Sequence, residues 1–204
     1  MIVSAADSDR AVEVSFAAQG QRLLRDHADA LRHALCDLFS WLETDDIAAV
    51  LPLKLVGGTG EHGLLSKRTR LSLRVSPSRV PELIASTGAE LSLADCHLRL
   101  EEPHVRELNP HATLYAYKVA SSVNSEVAFM ESVTNELRAL AIGGERVCGK
   151  LGRMSIAGQH LDTYSLMLHA LPAEQSLRLQ QKGLGRYQLL GCGVFVPHKS
   201  AAAV

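Results

Sequence analysis

The spacing of apolar and polar positions changes several times along this chain, and each change marks a predicted element. Residues 12–17 alternate Val, Glu, Val, Ser, Phe, Ala and read as a first strand. Leu24, Ala28, Leu31, Leu35, Leu38 and Leu42 then recur at steps of three and four. That spacing predicts an amphipathic helix to about Leu42, opened at Asp26 and carrying Asp29 in the first turn, where the helix dipole favours an anion. Residues 50–56 suggest a short strand, and Gly57-Gly58-Thr59-Gly60 a flexible loop. Over 67–75 the period is two again: Arg68, Arg70, Ser72 and Arg74 fall on one side, Thr69, Leu71, Leu73 and Val75 on the other. The expectation is a strand with one core face and one basic face. Pro77 to Thr87 reads as a short helix stopped at Gly88, and 89–100 as a hairpin or bent strand with Asp95 near a turn.

After Asn109-Pro110 the same order begins again. A strand is predicted over 112–119, and a helix from Glu126 to Ala141 ending at Gly143-Gly144, with Val127, Met130, Val133, Leu137 and Leu140 on one side. Strands follow at 147–157 and 161–169 around Gly158, then a helix over 172–182 and a closing strand at Val194-Phe195-Val196. Strand, helix, strand, strand, helix, strand thus occurs about twice. The fold class expected is α+β: tandem ferredoxin-like (RRM-like) units, each an antiparallel sheet with helices on one face, plus a C-terminal glycine-rich loop. The expected units are 1–108 and 109–204.

Composition narrows this only in part. With 204 residues, 47% apolar, 21% charged and a net charge of −1, the chain has ample core material and no global basicity. Nucleic-acid binding would therefore need local basic clusters. No apolar run reaches the roughly 18 residues of a membrane span, and the N-terminus lacks the pattern of a signal peptide, so a cytoplasmic protein without a membrane partner is expected. The four cysteines (Cys36, Cys96, Cys148, Cys192) show no Cys-x-x-Cys spacing, which argues against a zinc site and a disulfide framework. No cofactor is expected.

The densest motif is Gly183-Leu184-Gly185-Arg186-Tyr187-Gln188-Leu189-Leu190-Gly191-Cys192-Gly193. Paired glycines permit positive φ and close backbone approach, and exposed amides beside a cation suit a phosphate-bearing partner. Neither common phosphate motif fits. A Walker loop needs Gly-Lys-Ser/Thr where Gly191 is followed by Cys192, and a dinucleotide fingerprint needs glycine at position 188, which is glutamine. A plain glycine-rich turn between helix and strand is the competing reading.

Placed after the last helix of a tandem ferredoxin-like chain, this loop and the following Val194-Phe195-Val196-Pro197 resemble the signature of the RAMP superfamily of CRISPR RNA-binding proteins. The Asp26-His27 helix start, the Leu64–Arg74 stretch and the Glu174–Gln180 helix add to it. Within that superfamily the chain resembles the compact branch of repeat-specific endoribonucleases that cut precursor CRISPR RNA. The resemblance implies metal-independent cleavage at the base of the repeat hairpin, with the enzyme often retained as a subunit of an RNA-guided surveillance complex. Its partners would be CRISPR repeat RNA and other subunits of that complex. Similar members often carry tyrosines in this helix, where Asp29 and Arg32 stand here, so a tyrosine-assisted step gains no support.

Cutting RNA without a metal means driving a 2′-OH onto its own neighbouring phosphorus, leaving a 2′,3′-cyclic phosphate and a 5′-OH. The protein supplies a base, cationic support and in-line geometry. Histidine suits the base role because it titrates near neutrality. His27 lies four residues before Leu31 and extends the inward stripe, whereas His33 should be solvated. From residues alone a histidine at a helix start is more often structural; the resemblance places the catalytic histidine in or near this helix and so points to His27. His62, in the Gly57–Gly63 loop, is next in line. His97, His104, His111, His160, His169 and His198 have no ligand-like spacing, so no metal site is expected. Ser66 and Lys67 are candidates to orient the scissile phosphate, or simply a solvated strand entry. The expected RNA contacts are Arg68, Arg70, Arg74, Lys150, Arg153, Lys182 and Arg186, with Gly183, Gly185, Gly191 and Gly193 of the loop. At 4% aromatic residues, base stacking is not expected to dominate. Two other readings stay open: a non-catalytic RAMP-type guide-RNA-binding subunit, and a small-molecule protein on the same scaffold.

Overall fold

The computed structural model describes residues 10–199. The chain divides into two compact units, Met1–Glu107 and Leu108–Val204.

In the first unit the elements are β1 (Val12–Gln19), β2 (Arg22–Leu24), α1 (Ala28–Leu38), β3 (Ala49–Val50), β4 (His62–Leu64), β5 (Arg70–Val75), α2 (Val80–Ala85), β6 (Glu90–Leu93) and β7 (Cys96–Glu107). The main sheet runs β3-β5-β1-β7-β6, with antiparallel neighbours. Leaving out β6, the chain order β1, α1, β3, β5, α2, β7 with spatial order β3-β5-β1-β7 is the ferredoxin-like arrangement. Phe16, Leu71, Leu73, Leu98 and Leu100 of the sheet are buried, as are Leu31 and Leu35 of α1 and Leu83 of α2. Each such leucine contributes about 1.5–3 kcal/mol by leaving water.

In the second unit β8 (Leu114–Ser121), α3 (Glu126–Ala139), β9 (Glu145–Ile156), β10 (Gln159–His169), α4 (Ala173–Lys182) and β11 (Val196–Pro197) follow the same chain order. Their sheet, β11-β8-β10-β9, is again antiparallel and ferredoxin-like. Ser125 caps α3, accepting a hydrogen bond from the Ala128 N–H. The core joins Leu114, Ala116, Leu166 and Leu168 of the sheet to Phe129, Val133 and Leu137 of α3 and Leu179 of α4. Phe129 and Tyr164 stack with ring centroids 4.6 Å apart.

Several boundaries differ from the periodicity. α1 opens at Ala28 behind His27 and stops at Leu38. The chain turns at Phe39, and Leu42 reaches the core from a short 3₁₀ turn. Leu24 belongs to an unforeseen strand, β2, which pairs with β4 in a separate ribbon. The strand expected over 50–56 shrinks to Ala49–Val50 plus one bridge between Val56 and Leu64, because Pro52 has no N–H for a ladder. The closing strand is only Val196–Pro197.

Arg74 is a larger correction. It sits opposite Glu13 in the β1–β5 register and is 1% exposed, so the strand has no continuous basic face. Its Nε lies 3.7 Å from Glu13 Oε2, while Arg106 of β7 donates to Glu13 Oε1 from Nε at 3.0 Å and Nη2 at 2.6 Å. Arg74, Glu13 and Arg106 form a charged rung across three adjacent strands. Burial lowers the Arg74 pKa to about 10, with Glu13 pulling the other way. A charge held this way stays in place because breaking the pair would strand its partner away from water.

Candidate active site

His27 stands between the β2–β4 ribbon and α1. The ribbon pairs Arg22 with Leu64, Leu23 with Gly63 and Leu24 with His62. Its far end is closed by the Arg25 side chain, which donates from Nε to the Gly60 carbonyl at 3.2 Å and from Nη2 to those of Gly57 and Gly58 at 2.8 and 3.2 Å. The Arg25 N–H adds a bond to the Glu61 carbonyl at 2.7 Å. A glycine-rich loop that would otherwise be floppy is therefore clasped from outside by one guanidinium.

Half-buried His27 approaches the Leu24 carbonyl with Nδ1 at 2.8 Å. A carbonyl only accepts, so Nδ1 carries the proton and a neutral ring keeps its basic lone pair on Nε2. The His27 carbonyl meanwhile accepts the Leu31 N–H at 2.8 Å and starts the helix. The Leu24 carbonyl thus sets the ring's tautomer. His33, as expected, is exposed on the helix surface.

Across the ribbon, His62 Nε2 lies 3.5 Å from Asp95 Oδ2, which also faces Arg22 Nη2 at 3.3 Å. Sequence reasoning singled out neither Arg22, Arg25 nor Asp95 for chemistry. The signal for Arg22 and Arg25 was the polar run on either side of Leu23-Leu24, and that for Asp95 its place near a predicted turn.

Arg68 and Arg70 are exposed and enter no ion pair among the described residues. They leave a tight turn in which the Ser66 and Thr69 hydroxyls lie 3.2 Å apart and the Arg68 N–H donates to Ser66 Oγ at 3.2 Å. Ser66 is therefore committed to shaping the turn. Arg74, buried on Glu13, drops out of the expected contacts.

In the second unit, Lys150 and Arg153 are exposed on β9, with Arg153 Nε 3.1 Å from Asp162 Oδ1. Lys182, at the end of α4, and Arg186 are also exposed. The glycines of this loop differ from the expectation. Gly183, Gly185, Gly191 and Gly193 take φ of 65°, 74°, 77° and 65°. Their amides already donate: Gly183 to the Leu179 carbonyl at 2.9 Å, Gly191 to Gln188 at 3.0 Å, and Gly193 to Lys118 at 2.7 Å. The Gly185 N–H donates to a Glu136 carboxylate oxygen at 2.5 Å. The loop thus offers no array of unused glycine amides. What it presents outward is Arg186 and Tyr187, the latter held at φ 70° in the left-handed region. No helix among the described residues is long and apolar enough to cross a membrane.

Comparison with known proteins agrees with this architecture. The Cas6 Crispr family model matches residues 12–200. The "CRISPR-associated endonuclease Cas6" of Myxococcus xanthus (strain DK1622) is 32% identical over 194 residues, covering 95% of this chain and 84% of that protein. Among solved structures, a "CRISPR associated protein Cas6" superposes with a TM-score of 0.63 at 9% identity, covering 93% of this chain and 99% of that one. Cse3 of Thermus thermophilus, bound to an RNA representing a pre-cleavage complex, gives 0.52 at 12% identity over 92% and 98%. At such identities the structural matches speak for the fold, while the family match and the Myxococcus relative carry descent: this chain belongs to the Cas6 Crispr family.

Proposed function

We propose that the protein is an endoribonuclease that binds the hairpin of CRISPR repeat RNA and cleaves precursor CRISPR RNA through the RNA's own 2′-OH. The observation that supports this most is the His27 ring, whose Nδ1–H is fixed on the Leu24 carbonyl at 2.8 Å so that Nε2 is the basic nitrogen. His27 takes the 2′-OH proton as the oxygen attacks phosphorus. The P–O5′ bond then breaks and the departing 5′-oxygen takes a proton from water, leaving a 2′,3′-cyclic phosphate and a 5′-OH, while His27 returns its proton to solvent. Base catalysis of this kind is worth roughly 10²–10⁴ in rate. The chain offers a base and cationic side chains of its own, and the reaction is read as metal-independent. Arg68, Arg70, Lys150, Arg153, Lys182 and Arg186 supply phosphate contacts, and the product stays bound as a guide for a larger complex.

The test uses repeat RNA and a copy with one 2′-deoxy nucleotide at the cut. Only the all-ribose strand should be cleaved in EDTA; cleavage of the deoxy copy rules out 2′-OH attack. His27→Ala should lower the single-turnover rate by about 10²–10⁴ with hairpin affinity nearly unchanged. Full activity in that variant moves the base elsewhere, and His62 becomes the next candidate. Absence of cleavage by the wild type, with tight binding retained, would identify a guide-binding subunit. For the binding surface, Arg186→Ala should weaken affinity and reduce the salt slope by about one contact. An unchanged slope removes Arg186 from it.

A further inference from the structure

The β2–β4 ribbon and the β6–β7 turn bring together three side chains that chain spacing keeps apart. His62 opens β4, Asp95 ends the two-residue turn after β6, and Cys96 opens β7. The imidazole, carboxylate and thiol donor atoms all lie within 4.8 Å of one another. His62 Nε2 is 3.5 Å from Asp95 Oδ2, and Cys96 Sγ is 3.3 Å from Asp95 Oδ1. Zinc bond lengths at a tetrahedral angle put neighbouring N, O and S ligands about 3.3–3.6 Å apart. The His62–Asp95 edge falls in that range, and the Cys96 contact is made to the other oxygen of the same carboxylate, so a small turn of that carboxylate presents one oxygen to both neighbours.

A second observation is independent of the spacing. His62 Nε2 is buried yet makes no hydrogen bond. A polar nitrogen withdrawn from water without a hydrogen bond is costly, by roughly 1–3 kcal/mol. Here it is aimed at a carboxylate and a thiol, the partners a metal ion would join to it.

We propose that His62, Asp95 and Cys96 bind a divalent transition-metal ion of the zinc class, one nitrogen, one oxygen and one sulfur from the protein leaving a fourth position for water. This mixed set favours zinc over magnesium or calcium, which take oxygen donors. A neighbouring cavity of about 590 Å³, lined by Gln21, Arg22, Asp95, Cys96 and Arg99 among others, gives water access to that fourth position. Binding breaks the Cys96 S–H bond, releases the proton to solvent and forms a metal–sulfur bond, with no change of oxidation state. The Asp95 carboxylate and the Cys96 thiolate together balance the ion's two charges. Arg22, whose side chain is 56% exposed, swings off Asp95 to make room.

The ion would tie β4 to the start of β7 behind the strand that orients the candidate base. Leu24 pairs with His62 across the ribbon, and the Leu24 carbonyl holds His27. Metal binding itself is independent of the nuclease reading; only this positioning consequence rests on it. The metal is structural and touches no RNA.

Cobalt(II) is the probe. EDTA-stripped full-length protein, titrated with cobalt, should take up one equivalent with intense tetrahedral d–d bands and a thiolate-to-cobalt charge-transfer band, both erased by zinc. Cys96→Ser should abolish the charge-transfer band and weaken binding at least tenfold, while Cys36→Ser/Cys148→Ser keeps it. His62→Ala, on the ribbon, gives a variant that spares the core and should also weaken binding at least tenfold, with unchanged circular dichroism. Less than one equivalent bound by the wild type overturns the proposal, as does a charge-transfer band that survives Cys96→Ser. Because the readout is spectroscopic, a chain that binds cobalt and cuts no RNA refutes only the nuclease reading.

Discussion

The two glycine-rich loops look alike on paper and are built in opposite ways. In the Gly57–Gly63 loop, a Cβ added at Gly57 or Gly60 would meet nothing within 4 Å, and order is imposed by Arg25 gripping three carbonyls. In the Gly183–Gly193 loop the backbone grips itself. A Cβ at Gly193 would fall 1.7 Å from the Leu184 carbonyl oxygen, and one at Gly183 would fall 2.8 Å from the Gly193 carbonyl oxygen. The Leu184 N–H also donates to that Gly193 carbonyl at 3.0 Å. Leu184, Leu190, Cys192, Val194 and Phe195 are buried in and around the loop. Glycine at 57 and 60 of the first loop supplies flexibility that a side chain then restrains, although at Gly58 a Cβ would fall 2.4 Å from the His62 carbonyl oxygen. In the second it supplies absence of volume, and the result is a plug of core that exposes one arginine and one tyrosine.

That contrast makes graded predictions. Gly193→Ala should have the largest effect, on the order of 4 kcal/mol or more, because backbone atoms cannot yield and φ is positive as well. Urea unfolding should show the second unit melting early; wild-type stability would mean the loop is not closed as described. Arg25→Ala should cost about 1 kcal/mol, the worth of a few exposed hydrogen bonds. It should also speed hydrogen exchange over Gly57–Gly63 while leaving Gly183–Gly193 untouched. Equal protection in both proteins would show that Arg25 is not the clasp. Gly60→Ala should be the mildest, about 1 kcal/mol or less, since only its φ of 62° opposes a side chain. A loss as large as that of Gly193→Ala would erase the distinction between the loops.

The catalytic candidate and the basic surface were legible to different degrees. His27 is the candidate because it extends the apolar stripe read for the first helix and because the resemblance places the base there. Its tautomer was not legible, since the Leu24 carbonyl that fixes it belongs to a three-residue strand too short to show a period. Arg74 was misplaced for a related reason. Alternation puts it on the same side as Arg70, but whether that side is wet depends on Glu13 and Arg106 in strands that are neighbours only after folding. The glycine loop was located correctly and its amides misjudged, because conformational permissiveness says nothing of which hydrogen bonds are already made.

Local pattern determined the twofold strand–helix–strand–strand–helix–strand order, because periods of 2 and 3.6 are properties of consecutive residues. It also determined that nothing in the chain resembles a contiguous metal motif. Tertiary structure alone decided the rest: that Arg74 is buried, that the four loop glycines spend their amides internally, and that His62, Asp95 and Cys96 meet. Each depends on partners from non-adjacent segments, and proximity of that kind is set by sheet register and turn placement rather than by order along the chain.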